Sequence, residues 1–290
     1  MFIALPRGIM NTIALSFDVE DWFCVQNMKS IFPFKEWSKC ELRVYENTKY
    51  ILWCLKKHNA KATFFILGWI AERFPELVSE IAVEGHEIAT HGYSHTSILQ
   101  MTKQEFQKDT EKSITILNNI IQQPINGFRA PSFSITKDTI WALDILRNLG
   151  IQYDSSIFPI NHPDYGIADF PQRIHRINGV IEVPLTSATL SGFKIPVSGG
   201  GYFRLYPYWF FKAMLQTTMS NNATVAYFHP WEFDPYQPRI DLPILKSFRH
   251  YVGLGRNRNK FEKFLGDFDF VTIDEKIKHH GPFTRAAVAC

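Results

Sequence analysis

Cysteine is scarce in this chain, with Cys24, Cys40, Cys54 and Cys290 making up four of 290 residues, none in CxxC or other metal-type spacing. That argues against a thiolate metal module and implies reduced, largely buried thiols, as suits a reducing compartment. Long apolar runs are missing as well. No stretch reaches the roughly 18–20 apolar residues of a spanning helix, so no transmembrane segment is expected. The opening MFIALPRGI is too short and wrongly ordered for a signal peptide, and Met10 is a second candidate start. Together these features predict a cytoplasmic protein. Nor is there an excess of one charge: 31 Lys and Arg against 28 Asp and Glu leave a net charge of +3. With no long basic block, a nucleic-acid partner is not expected. Residues 254–263, LGRNRNKFEK, are locally basic and read as a solvated helix face or turn. Repeats, low-complexity tracts and linkers are also missing, so residues 10–290 are expected to form a single domain.

The composition is otherwise that of a well-buried globular α/β chain, with 46% hydrophobic residues. Aromatics reach 15%, including 25 Phe and 7 Trp. Most must belong to a core, while a minority could line a groove for the apolar face of a sugar ring. Apolar strand-like runs alternate with amphipathic stretches. Strands are expected at Thr12–Phe17, Ala62–Leu67, His86–Ala89, Gly127–Arg129, Ile151–Tyr153, Val180–Val183, Thr224–Phe228 and Phe268–Ile273. Helices are expected over 41–57, after Pro75 up to Gly85, from the capping box Thr102–Glu105 to Ile121, and from about Lys137 to Gly150. The stretch from 155 to 210 reads as loops and short strands. Strand-then-helix order predicts parallel strands with helical crossovers, and the length suits a distorted or incomplete (β/α) barrel. Chemistry then belongs at the C-terminal ends of the strands. Residues 18–21, 91–95, 129, 154 and 229 all follow or end apolar strands.

His91 and His95 are four apart, and a helical turn or tight loop would put both imidazoles on one divalent metal. Two hydrogen-bonded loop histidines would give the same spacing, so a third ligand is required. Asp18, Glu20 and Asp21 crowd the end of the first strand, where mutual repulsion favours a cation or proton transfer. Strand alternation turns Asp18 and Glu20 to one side. His229 at another strand end is a candidate general acid, since imidazole titrates near neutrality. Arg129 could orient a carboxylate by paired hydrogen bonds, and Asp154 could hold an imidazole in one tautomer.

The ordered set SFDVED, THGYSH, FRAPSF, YDSS and AYFHPWE resembles the five motifs of the polysaccharide deacetylase family (NodB homology, carbohydrate esterase 4). The resemblance covers about residues 12–232. Further stretches, Gly199–Pro207, His229–Pro235 and Phe248–Leu254, resemble the subgroup associated with exosortase and bacterial exopolysaccharide clusters. On that likeness the tail from about 233 to 290 is a subgroup-specific extension of the same domain.

The resemblance implies a NodB-type barrel and a metal-dependent hydrolase that removes N-acetyl groups from a bacterial polysaccharide or its precursor. Alternatives are amide hydrolysis on peptidoglycan or a small amide, and a non-catalytic glycan-binding relative. Position by position it implies Asp18 as base, His91 and His95 as metal ligands, Arg129 positioning the base, Asp154 tuning the acid and His229 as acid. Val19 stands where the family has a second aspartate, its other metal ligand; alternation nominates Glu20 in its place, then Asp21. The fourth motif lacks its usual tryptophan, Phe158 being the nearest aromatic. The implied metal is zinc, with cobalt, nickel or manganese as alternatives. The implied partner is a carbohydrate substrate, and the resemblance allows peripheral association with a polysaccharide biosynthesis complex at the inner membrane face.

Overall fold

The computed structural model describes residues 12–162, 165–219 and 223–280. Eleven strands are present among them: β1 Ile13–Val19, β2 Thr63–Ile66, β3 Glu87–Thr90, β4 Gly127–Phe128, β5 Tyr153–Asp154, β6 His175–Ile177, β7 Val180–Glu182, β8 Ser187–Leu190, β9 Phe193–Pro196, β10 Val225–Phe228 and β11 Phe270–Val271. One sheet runs in the order β10-β1-β2-β3-β4-β5-β7-β6, with β11 also pairing β1. Every pairing in it is parallel except the hairpin β6–β7. The ends of this series do not pair with each other, so the barrel is incomplete. Between β6 and β10 lie the separate hairpin β8–β9 and a backbone bridge in which Tyr227 donates to the Ser198 carbonyl at 2.7 Å.

The helices are α1 Val44–Lys57, α2 Gly68–Arg73, α3 Pro75–Val83, α4 Lys103–Ile121, α5 Ala142–Asn148, α6 Gly200–Leu205, α7 Tyr208–Thr218, α8 Ile244–Tyr251, α9 Leu254–Asp267 and α10 Ile273–His279. The long amphipathic patterns form helices as expected. The helix placed at about Lys137 is a single tight turn, Lys137–Thr139, followed by α5. Five helices, α2, α6, α7, α8 and α10, had no sequence expectation. The short α2 is held at its start by the carbonyls of Gly92 and Tyr93, which accept from the amides of Gly68 and Trp69. The helices α6 and α7 fall in or beyond the stretch read as loops and short strands. The basic run at 254–263 is α9, whose buried face carries Leu254, Asn257 and Phe261.

Because helices cover the sheet, β1, β2 and β10 are buried along their whole length and read as continuous apolar runs. Alternation still sorts their side chains into two layers. Ile13, Leu15, Phe17, Phe64, Phe128, Ala226 and Phe228 pack outward under the helices. Ala14, Phe65, Ala89, Tyr153, Ile181, Val225 and Tyr227 pack together on the inner face. Phe228 is the hub of the outer layer, with ring contacts to Phe17, Phe203, Phe233, Phe261 and Phe264 at 5.1–6.2 Å between centroids. Phe228→Ala is expected to destabilise the fold by about 3–5 kcal/mol. Chemical denaturation checks this; a loss under about 1 kcal/mol would show that the packed layer does not hold β10 in place.

Candidate active site

The same alternation aims the reactive residues. The inner phase of β1 runs Ala14, Ser16, Asp18; that of β3 runs Ala89, then His91; that of β10 runs Val225, Tyr227, then His229. Arg129 continues the inner phase of β4 opposite the outward Phe128. Four strands therefore deliver Asp18, His91, Arg129 and His229 to one end of the barrel. They meet at a cleft of about 190 Å³ whose walls include Asp18, Glu20, His91, His95, Ser132, Phe133, His229 and Trp231.

Arg129 is fully buried, and its charge is compensated on every side. Its Nη1 donates to Asp18 Oδ1 at 2.6 Å and to Ser16 Oγ at 2.9 Å. Its Nε and Nη2 donate to the carbonyl and hydroxyl of Ser155 at 2.9 and 3.0 Å. The guanidinium also lies 4.1 Å from the Phe65 ring centre. Asp18 is thereby fixed with its second oxygen towards His229, whose Nε2 is 3.8 Å away.

His91 and His95 sit on an irregular loop, not a helix. Gly92 at φ +73° and His95 at φ +52° fold that loop back on itself. The Asp109 carboxylate accepts from the amides of Tyr93 and Ser94 at 2.7 and 3.2 Å and pins the turn. His91 Nδ1 meets the Arg129 carbonyl at 2.9 Å, which commits that nitrogen and leaves Nε2 for another partner. Burial pushes the His91 pKa down to about 4, so the imidazole is neutral and has a lone pair to offer.

Glu20, His91 and His95 present ligand atoms that all lie within 4.8 Å of one another. Glu20 Oε2 is 2.9 Å from His95 Nε2, yet this buried oxygen makes no hydrogen bond. A buried carboxylate oxygen facing a ring nitrogen, with a second imidazole close by, offers what a cation site needs, and the donor set suits a divalent metal. Burial, the largest influence on Glu20, opposes its charge, but His95 and His229 outweigh it and keep the carboxylate ionised.

Asp21 has a different task. Its oxygens accept from the amides of Trp22 at 2.9 Å, Arg43 at 2.7 Å and Val44 at 3.0 Å, covering the start of α1. Burial raises its pKa to about 6 despite those bonds.

Asp154 lies on the outer phase of β5, beside the outward Phe128 and opposite Glu182 on β7. It accepts from the hydroxyl and amide of Ser156 at 2.5 and 3.1 Å. Ser156 Oγ in turn accepts from the Ala130 amide at 2.7 Å. The site thus brings together Asp18, Glu20, His91, His95, Arg129 and His229, whereas Asp154 contacts none of the three histidines through any described hydrogen bond. The inner position after β5 belongs to Ser155.

Two residues had no place in the sequence expectation. Glu232 Oε2 accepts from the backbone amide of His229 at 2.9 Å and faces His229 Nδ1 at 3.2 Å. Its other oxygen accepts from Arg204 Nε at 3.0 Å. The i, i+3 spacing of His229 and Glu232 is the only sequence signal for the first contact; nothing marks the second. His229 Nε2 is 3.0 Å from Glu20 Oε1. Burial is the largest influence on His229 and disfavours its charge, but Glu20 and Glu232 outweigh it and lift the pKa to about 10.

Residues 11–153 match the polysaccharide deacetylase family, and residues 155–278 match a domain of unknown function, DUF3473. Over residues 11–153 the chain is therefore similar to polysaccharide deacetylases. A peptidoglycan-N-acetylglucosamine deacetylase of Bacillus cereus is 40% identical over 100 residues, 34% of this chain and 36% of that protein. The matches span 36–41% of the length of the first curated relatives.

Among solved structures, one described as a candidate polysaccharide deacetylase from Mycobacterium smegmatis superposes with a TM-score of 0.64 at 19% identity, covering 99% of this chain and 96% of that one. A pseudoenzyme of the same esterase family from Bacillus anthracis gives 0.50 at 14% identity, covering 94% and 66%. At these identities the structures establish the fold. No helix among the described residues is long and apolar enough to cross a membrane.

The two neighbouring carboxylates are separable by experiment. Asp21→Asn should lower stability by about 1 kcal/mol through a weakened helix start and leave zinc binding unchanged. Glu20→Gln should lower zinc affinity at least tenfold. Denaturation and zinc titration of both variants check this; zinc lost from Asp21→Asn alone would reverse the assignment.

Proposed function

We propose that the protein is a metal-dependent hydrolase that removes N-acetyl groups from sugar units of a bacterial polysaccharide or its precursor. The observation that carries this is the convergence of an Arg129-held Asp18, the Glu20–His91–His95 donor set and a charged His229 on one cleft. Glu20, His91 and His95 would hold the ion, which supplies a Lewis acid for water and the acetamide carbonyl.

Asp18 is the base. It accepts the proton of the attacking water as the carbon–oxygen bond forms, and Arg129 keeps its carboxylate aimed at the cleft. The strained turn at Ser132, with φ +54°, lies at the cleft wall and offers a backbone N–H to the developing oxyanion. His229 faces carboxylate oxygens from both ring nitrogens and is therefore protonated at neutral pH. It gives a proton to the departing amine as the carbon–nitrogen bond breaks, leaving acetate and a free amino sugar. Phe133 and Trp231 provide the aromatic walls for sugar rings.

Residues 10–290 act as one domain on this reading, supported by β10 and β11, from beyond residue 153, flanking β1. The stretches at 199–207, 229–235 and 248–254 favour a role in exopolysaccharide synthesis. Peptidoglycan is the second reading, favoured by the printed activity of the Bacillus cereus relative. The free thiols Cys24, Cys40 and Cys54 support a reducing compartment.

Acetate release from an N-acetylglucosamine oligomer, a de-O-acetylated exopolysaccharide and peptidoglycan tests the activity and separates the substrates. Activity should vanish with a chelator and return with zinc. Asp18→Asn should cost on the order of 10²–10⁴ in rate. An Asp18→Asn variant as active as the wild type would remove Asp18 from the mechanism, and no acetate from any substrate with zinc bound would favour a glycan-binding relative.

A further inference from the structure

We infer that Glu232, held by Arg204, is the positioning residue that fixes the orientation of His229 and keeps a hydrogen on its Nδ1, and that the region of unknown function supplies this device. The inference rests on His229 being the acid of the proposed reaction. A carboxylate can only accept, so its contact with Nδ1 requires that nitrogen to carry a hydrogen. Nδ1 is thereby committed, and Nε2 is the atom turned towards Asp18 and Glu20. The same oxygen also takes the His229 backbone amide, so side chain and main chain of the histidine are gripped at one point.

Three separated stretches converge on that carboxylate. From 199–207 comes Arg204, which donates to Glu232 and, through Nη1, to the carbonyls of His250 at 2.9 Å and Val252 at 2.6 Å in the third stretch. Gly200 sits against Glu232 so closely that a Cβ there would lie 1.9 Å from Oε2. From 248–254 comes His250, stacked at 4.5 Å and 5° on Trp231, which itself stacks on His229 at 5.5 Å. Asn257 fixes the Glu232 backbone by donating to its carbonyl at 2.8 Å. Each of these residues lies within 155–278, the match without assigned function. The buried Arg204–Glu232 pair, with side chains 2% and 1% exposed, is more than a surface ion pair, and its orientation puts the free carboxylate edge on His229.

Two variants of the full chain test this, with zinc bound. In Glu232→Gln, Arg204 should draw the amide oxygen, leaving the NH₂ to face Nδ1, which then cannot keep its hydrogen, while Nε2 keeps the one that faces Glu20. Gly200→Ala keeps every charge but displaces the carboxylate. In both, kcat for acetate release should fall about 10–100-fold with KM and zinc stoichiometry unchanged. The ¹H–¹⁵N spectrum of the His229 ring, recorded without substrate, should lose its Nδ1-protonated signature.

A ring spectrum unchanged in both variants overturns the inference whatever the activity does. So does a rise in KM at constant kcat, which would make Glu232 a binding residue. If the wild type releases no acetate but the ring signature still changes in the variants, the deacetylase reading fails and the positioning role stands.

Discussion

Everything at the active end of this molecule depends on one buried ion pair, Asp18 with Arg129. A guanidinium with no exposure to water is tolerated only where its donors are met, and here Asp18 and Ser16 on β1 and Ser155 at the end of β5 meet them. The pair links β1 to β4 across the inner face, and the Arg129 carbonyl then commits His91. Positioning therefore passes from base to ligand through a single residue. Replacing either partner would leave a desolvated charge in the interior.

Two carboxylates beside that pair are distinguished by environment rather than by chemistry. Glu20 is left with an oxygen that makes no hydrogen bond, facing two histidines, and stays ionised. Asp21, one residue on, is saturated by backbone amides and has its pKa lifted by burial. Adjacent residues at a strand end necessarily point different ways, so one is available to a cation while the other starts a helix.

The architecture was readable from the sequence where period and propensity agree. The runs TIALSF, ATFFIL and TVAYF are strands because parallel strands under helices are buried on both faces. Asp18, His91 and His229 could be placed at strand ends for the same reason. Asp154 shows where reading stopped. It ends a strand like the others, but only the pairing register puts it on the outer phase beside Phe128 and leaves Ser155 facing Arg129. Arg204 was silent because its partner is 28 residues away and no periodicity announces a contact of that range. The helices α6 and α7 were missed because the Gly, Pro and aromatic content of that stretch suggests loops, and tertiary packing of Phe203 and Phe211 overrides it.

The position of β1 has a consequence for how the chain is made. Its neighbours in the sheet are β2, β10 and β11, so β1 is flanked on one edge by residues some 210 positions later in the chain. An N-terminal piece ending near residue 153 would carry Asp18, both metal-site histidines and Arg129, yet expose an edge of β1 that the native sheet covers. Such an edge is a template for wrong pairing. The sheet therefore cannot close until β10 has been made, and the strand that carries Asp18 waits until then for its shelter.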